Sequence, residues 1–386
     1  MPSINPLIAI IGFASLGLAA GYAVLALVAA VLWQMRRVPI DTRRLPPVTL
    51  LKPLCGAEPG LYENLRSFCQ QEHPQFQIVF GVRDPADPAL AVVERLQAEF
   101  PSLPIDVVVN PQQHGTNSKV SNLINMAAQA RHDVLVMADS DVRVGPAYLS
   151  AMTAPLLDHD VGLVTCLYRG VPTRKICSRL GAMYINEWYM PSVRVAWLFG
   201  YQGYASGQSL CLRRATLQAI GGLQAMANHL AEDHRLGEMV RGLGLRIVLS
   251  PYMLSAEHHE QNLDSLTRHE VRWMRTIRVL RPRSFRLIFL SFGLPLAILG
   301  LALTAAAPPV STTAWALFGT TVIARLLLHL VHRLRDNRAL FSDLWLLPAR
   351  DLLICWVWCR GFLTSRVTWR GSEFEVDAHG VMRRLS

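Results

Sequence analysis

Two carboxylates separated by a single serine, Asp139 and Asp141 in "ADSDVRV", follow a short apolar run, "DVLVM". Anions that close repel each other unless a cation lies between them. Mg2+ and Mn2+ prefer oxygen ligands and commonly combine one or two carboxylates with substrate phosphates. The spacing therefore points to a metal on Asp139 and Asp141, and through it to a bound diphosphate. The competing reading is that one of the two only caps the helix that follows, as aspartate often does.

Other residues could share that chemistry. Asp84 and Asp87, in "GVRDPADPA", end another β-rich run, and Lys52 ends an earlier one. Lys119 in "GTNSKVSNL" could face a phosphate or be a solvated lysine before a helix. Glu232 and Asp233 open a helix-like segment, "EDHRLGEMVRGLG", and "RHEVRWMRTIR" sets Arg272 and Trp273 in a basic, helix-like stretch. "EHH", Glu257 to His259, has a metal-like composition, although a surface or capping role suits it better. "SGQSLCLRR", around Gly207, could shape an acceptor side or form a strand and turn.

The elements that must position these residues alternate. "VTLL", "QIVFGV", "IDVVV" and "DVLVMA" read as strands. "GLYENLRSFCQQ" and "PALAVVERLQAEF" carry apolar residues at helical spacing. Strands alternating with helices predict an α/β fold with a parallel sheet and helices on both faces. Such sheets bind ligands at the carboxyl ends of their strands, which is where the aspartates fall.

Flanking segments are of another kind. Residues 7–33 hold no charge and exceed the roughly 20 residues that cross a bilayer. Basic residues follow this run (Arg36, Arg37, Arg43, Arg44), which fits a retained anchor with the next segment in the cytoplasm. Beyond Arg286, residues 287–309 and 310–331 are long enough to span as a hairpin. The stretch 344–363 contains Arg350, Asp351 and Arg360, so it could span, re-enter or lie at the interface. "RLGAMYINEWYMPSVRVAWLFG" could be an interfacial helix admitting a lipid or a core helix. The net charge of +10 gathers beside apolar spans, as in "VHRLRDNR" and "RVLRPRSFR". An anionic leaflet explains it better than nucleic acid. Seven cysteines without C-x-x-C spacing read as reduced and structural.

From Val48 to Arg278 these motifs resemble membrane-bound glycosyltransferases of the GT-A fold, with their spaced aspartates, D-x-D-like element, E-D motif and Q/R-x-x-R-W motif. More narrowly, "LLKPLCGAEPGLYENL", "DPADPA", "ADSDVRV", "GLVTCLYRG", "AEDHRLGE", "RWMRTIR" and the "VTWRG" tail resemble the ceramide glucosyltransferase group, and within it the bacterial glycosyltransferases of hopanoid biosynthesis. The Q/R-x-x-R-W element departs from the pattern by placing His269 at its first position.

The resemblance implies a Rossmann-like, mostly parallel GT-A sheet over 46–280. It also implies an anchor at 7–33, two to three membrane helices within 287–363, and a tail over 364–386. Lys52, Glu58, Asp84, Asp87, Lys119, Asp139, Arg272 and Trp273 would bind a UDP-sugar, with Mg2+ or Mn2+ on Asp139 and Asp141. Gly207 and His269 would stand on the acceptor side, and Asp233 would be the general base of an inverting transfer to a lipid hydroxyl. The closest pairing is N-acetylglucosamine with a bacteriohopanetetrol-type hopanoid; glucose with ceramide is the alternative. The implied location is the inner membrane, multi-pass, with the catalytic domain facing the cytoplasm. A processive synthase would need more spans, a transporter would lack the intervening α/β domain, and a non-catalytic scaffold would have no chemical need for the carboxylates.

Overall fold

Strands β1 (Val48–Pro53), β2 (Phe76–Val82), β3 (Ile105–Val109) and β4 (Val134–Ala138) build the parallel half of an eight-stranded sheet, in the order β3-β2-β1-β4. This computed structural model describes residues 6–36, 45–201, 203–305, 311–336, 339–363, 366–369, 372–377 and 379–385. Arg37, Arg43 and Arg44, the connection at 306–310, and Arg370 and Gly371 of the tail motif lie outside them. The chain divides into a sheet unit (37–171, 201–259 and 366–386) and a helical unit (1–36, 172–200 and 260–365).

In the sheet unit, β1 is buried along its length, as a strand covered on both faces must be. The sheet continues through β5 (Val142–Arg143), β6 (Val161–Pro172), β7 (Ser209–Arg213) and β8 (Arg246–His258), in the order β4-β7-β6-β8-β5. The β4–β7, β6–β7 and β5–β8 pairs are antiparallel. One face packs Leu51, Val79, Met137 and Leu210 against Val120, Leu123 and Met126 of the Ser118–Ala127 helix and Leu236 and Val240 of the Glu232–Gly242 helix. Gly81 permits that approach, since a Cβ there would lie 2.3 Å from Met126 Sδ. On the other face Phe68 meets Tyr148 edge to face at 5.4 Å. The tail forms an antiparallel sheet of β9 (Arg366–Trp369), β10 (Ser372–Val376) and β11 (Met382–Arg384).

The helical unit has an inverted hydrophobic pattern. Helix Pro6–Met35 buries Gly12, Ala19, Ala23, Ala26 and Ala30 and exposes Leu7, Ile10, Ile11, Leu18 and Val28. Large aliphatics outside and, beside the buried Leu16 and Trp33, mostly small residues inside suit a helix solvated by lipid, where close backbone packing replaces hydrophobic collapse. Gly12 and Gly300 show it directly, for a Cβ on Gly300 would stand 2.7 Å from the Gly12 carbonyl oxygen.

Among the described residues, Pro6–Met35 and Thr312–Arg335 are long and apolar enough to cross a membrane. A third span is available if the pair Pro282–Ser291 and Gly293–Ala305, bent by 70°, counts as one. Residues 287–305 of the stretch read as long enough to span thus belong to two helical segments that meet at a bend. Pro295 lacks an N–H and its ring would clash with the carbonyl of Ser291 in a continuous helix, so the helix restarts just ahead of it. Helix Leu347–Gly361 has 15 residues; at 1.5 Å per residue it is about 22 Å long, too short to cross alone.

Candidate active site

Because β2, β1 and β4 are parallel neighbours, their carboxyl ends share one rim of the sheet. Lys52 is the fifth residue of β1, Asp84 follows β2, and Asp139 and Asp141 follow β4. The N-termini of the Ser118–Ala127 and Glu232–Gly242 helices bring Lys119, Glu232 and Asp233 to the Asp139 side of that rim.

Lys119 is the hub. Its Nζ lies 2.6 Å from Asp139 Oδ1 and 2.7 Å from Glu232 Oε1, and it donates to the Gly207 carbonyl at 3.1 Å. Gly207 in turn donates its N–H to Asp233 Oδ2 at 2.7 Å, and the His234 N–H reaches Asp233 Oδ1 at 2.7 Å. Lys52, fully buried over the Phe68 ring, donates to the Asp139 carbonyl. Asn117 caps the Lys119 helix by accepting from the Lys119 and Val120 amides, and its Nδ2 donates to the His229 carbonyl at 2.8 Å and Glu232 Oε2 at 3.3 Å.

The loop leading into Asp233 is held from two sides. The Asn117 N–H bonds the Ala227 carbonyl and the Thr116 N–H bonds Asn228 Oδ1. From the tail, the Leu230 N–H bonds the Gly380 carbonyl at 2.9 Å and the Met382 N–H bonds the Asn228 carbonyl at 2.8 Å.

Electrostatics follow from this geometry. Burial lowers the Lys119 pKa, but the Asp139 and Glu232 carboxylates override it and hold it above the ordinary lysine value. Burial pushes the Lys52 ammonium down to about 7 against the pull of Asp139 and Asp141. Asp233 is raised to about 6, first by burial and then by the Glu232 anion, with Lys119 and the two amides opposing. Asp141, reached by solvent yet ringed by protein, is pushed up to about 6 by desolvation and by the Asp139 and Glu58 anions.

Five carboxylates (Glu58, Asp139, Asp141, Glu232, Asp233) thus face two ammonium groups (Lys52, Lys119). That excess of hard, anionic oxygen fits a divalent cation. No group of three or more His, Cys, Asp or Glu side chains arranged to hold a metal occurs among the described residues. A metal on Asp139 and Asp141 would therefore complete its shell with water and diphosphate oxygens, which is common for Mg2+.

The remaining candidates have partners of their own. Asp84 Oδ1 accepts from Ala86 N–H at 2.8 Å, capping its own turn. Asp87 takes the Gly56 N–H on both oxygens at 3.0 Å and the Ala89 N–H at 2.9 Å, which ties the loop after β1 to the loop after β2. Glu257 lies 3.4 Å from both Arg143 and His259, so the "EHH" carboxylate pairs with Arg143. Arg272, Trp273 and His269 belong to helix Leu263–Leu280 of the helical unit. There Trp273 packs on His269 at 4.1 Å and on Tyr184 at 5.3 Å, and His269 Nδ1 meets Glu260 Oε1 at 3.1 Å. Asn117 was not singled out by sequence reasoning, and Glu232 was noted only as opening a helix with Asp233. The available signals were an acid opening a helix beside Asp233, and an Asn at an N-cap beside Lys119.

Comparison with known proteins adds the following. A model of glycosyl transferase family 21 matches residues 14–382. Ceramide glucosyltransferase 1 of Caenorhabditis elegans is 25% identical over 212 residues, 54% of this chain and 45% of that protein. Ceramide glucosyltransferase 3 of the same organism is 21% identical over 351 residues, 86% of this chain and 73% of that protein. The chain thus spans about half the length of the first and about three quarters of the second. A mannosyltransferase from Pyrobaculum calidifontis, solved with GDP-Man and Mn2+, is 19% identical and superposes with a TM-score of 0.53 over 90% of this chain and 99% of that one. That likeness is one of fold, and the fold is GT-A-like.

Proposed function

This chain belongs to glycosyl transferase family 21, which makes it a glycosyltransferase, and from that premise we propose that it moves a sugar from a UDP-sugar to the hydroxyl of a membrane lipid, inverting the anomeric centre. The observation that carries the reading is the Lys119 ammonium bound at once to Asp139 and Glu232, with Asp233 fixed beside it by the Gly207 amide.

A divalent metal on Asp139 and Asp141 would supply charge neutralisation for the leaving diphosphate. Lys119 and Lys52 add positive charge along the same rim. Asp233 accepts the proton of the acceptor hydroxyl as its oxygen bonds to the anomeric carbon and the bond from that carbon to the diphosphate breaks. A carboxyl raised to about 6 is ionised at neutral pH and remains a stronger base than an ordinary aspartate. The orientation is that of an inner-membrane protein with the sheet unit in the cytoplasm, in keeping with the basic residues after the first helix.

For the substrates, the motif pattern and the "VTWRG" tail support N-acetylglucosamine and a bacteriohopanetetrol-type hopanoid. The second reading, glucose onto ceramide, is favoured by the C. elegans relatives. Purified protein in lipid extract with Mn2+ or Mg2+ should release UDP from the correct donor, and chelation should stop it. No UDP from any UDP-sugar would overturn the enzyme reading. Mass spectrometry of lipids from cells with and without the protein identifies the glycosylated lipid and decides between the two pairings.

A further inference from the structure

The tail is tied to the loop that leads into Asp233, and both lie in the sheet unit. Leu230 donates its N–H to the Gly380 carbonyl at 2.9 Å, and Met382 donates its own to the Asn228 carbonyl at 2.8 Å. Between them His229 and Val381 form an antiparallel bridge. Residues 228–230 and 380–382 thus make one short ladder. The same loop is pressed close to residues 115–117, for a Cβ on Gly115 would stand 2.4 Å from the Ala227 carbonyl oxygen.

One residue shapes the tail side of this ladder. Asp377 Oδ1 accepts from the His379 and Val381 N–H groups, each at 2.9 Å. The Asp377 N–H donates to the Val381 carbonyl at 3.1 Å, and the Asp377 carbonyl accepts from the Gly380 N–H at 3.0 Å. Gly380 stands at φ +80°, a conformation that glycine adopts without a Cβ clash. The Val381 amide first, then the His379 amide, hold the Asp377 carboxyl below the usual aspartate range, so an anion accepts both bonds. Phe374, Val376 and Met382 are buried and seat the tail sheet. Apolar burial is non-directional, so the match of 380–382 to 228–230 falls to hydrogen bonds. Asp377 makes four of those that shape the turn.

We propose that Asp377 is a positioning residue for Asp233. Only Ala231 and Glu232 separate Leu230 from Asp233, so a shift of the ladder passes into the first turn of helix Glu232–Gly242. Two contacts there feel such a shift. They are Asp233 Oδ2 with the Gly207 N–H at 2.7 Å and Glu232 Oε1 with Lys119 Nζ at 2.7 Å. Asp377 acts on both through the turn, the ladder and the loop. Its effect on catalysis rests on the sugar-transfer reading above, whereas its hold on the loop does not.

The test uses the full chain in phosphatidylcholine nanodiscs. Hydrogen exchange, read by mass spectrometry without any sugar donor, follows peptides over 227–231 and 379–384, with strand Phe76–Val82 as the reference. Asp377→Ala should speed exchange in the first two by about tenfold and leave the reference unchanged. With UDP-glucose or UDP-N-acetylglucosamine, Mn2+ and lipid extract, its kcat for UDP release should fall by about tenfold at an unchanged donor KM. Burial is the first cause of the raised Asp233 value of about 6. A loosened loop admits water, so the acid limb of the kcat profile should also move below that of the wild type. Asp377→Asn keeps an oxygen that accepts from both amides and should restore the exchange, kcat and acid limb of the wild type. Unchanged exchange at 227–231 in Asp377→Ala, equal loss in Asp377→Asn, or faster exchange with wild-type kcat and acid limb overturns the proposal. Should Asp377→Ala fail to fold, Gly380→Ala places a Cβ at φ +80°, disturbs the same turn and carries the same expectations. If the wild type releases no UDP, the sugar-transfer reading falls, and the exchange result still decides whether Asp377 fixes the loop.

Discussion

Lys119 Nζ and Asp139 Oδ1 lie 2.6 Å apart. The carboxylate that opens the D-x-D element is thus already neutralised in part by a residue of the neighbouring helix. The same ammonium reaches Glu232 at 2.7 Å, so one side chain couples the Asp139 rim to the helix that carries Asp233. Lys119→Met removes that coupling and leaves two carboxylates without their cation. A fall in kcat/KM of at least tenfold is expected, with a steeper dependence on metal concentration, measured by steady-state UDP release across a Mn2+ titration.

Asp233→Asn keeps the shape and removes the proton acceptor we propose. General-base groups contribute about 10²–10⁴-fold, so kcat should fall by that much while calorimetric donor binding stays within a few-fold of wild type.

The pH dependence has a definite sign. Asp233 is raised to about 6 in the folded protein, so wild-type kcat should climb as pH rises through about 6 and then level. For stability the sign is opposite. The folded state holds this proton more tightly than the unfolded chain, whose value is about 3.9. That contribution is complete below about pH 3.9 and lost as pH rises through about 6. The unfolding midpoint of wild type measured against Asp233→Asn should therefore drop across that window, and a flat difference would remove the raised pKa.

Gly207 is tested by a methyl group. A Cβ there would stand 3.2 Å from Asp233 Oδ2 and 3.6 Å from Lys119 Nζ, close enough to push the carboxylate by a few tenths of an ångström. Misplacement by 1 Å can cost about 10²-fold, so Gly207→Ala should lose less than that in kcat with an unchanged circular-dichroism spectrum.

In the helical unit, Glu270→Ala leaves Arg350 charged, buried and without its carboxylate. Breaking such a pair costs about 3–5 kcal/mol. A large drop in unfolding midpoint in detergent is expected, read by scanning fluorimetry.

The parallel half of the sheet was legible because β1, β2 and β4 are short apolar runs ending in charged residues, and residue type marks both the strand and its rim. The antiparallel half was not, since β4 pairs with β7 across some seventy residues of chain and no local pattern records that partner. Asp139 and Asp141 could be found for the same local reason. The role of Glu232 depends on two helix N-termini converging on Lys119, which only the tertiary fold brings about. Asp87 shows the opposite limit. Its oxygens accept from the Gly56 and Ala89 amides, a tie between two loops that its position after a strand does not announce. Pro295 was visible in the apolar stretch 287–309, and its missing N–H explains why that stretch is bent.

The bonds from Gly380 and Met382 to the loop before Asp233 give synthesis of this chain an order. Asp139, Asp141 and Asp233 leave the ribosome before helix Leu347–Gly361 is made, whereas Gly380 and Met382, which fasten the loop before Asp233, follow that helix. A nascent chain can accordingly assemble the Asp139 side of the rim early, and the loop into Asp233 is fastened only after that helix has been translated. On the function we propose, catalytic competence then follows synthesis of that helix rather than preceding it.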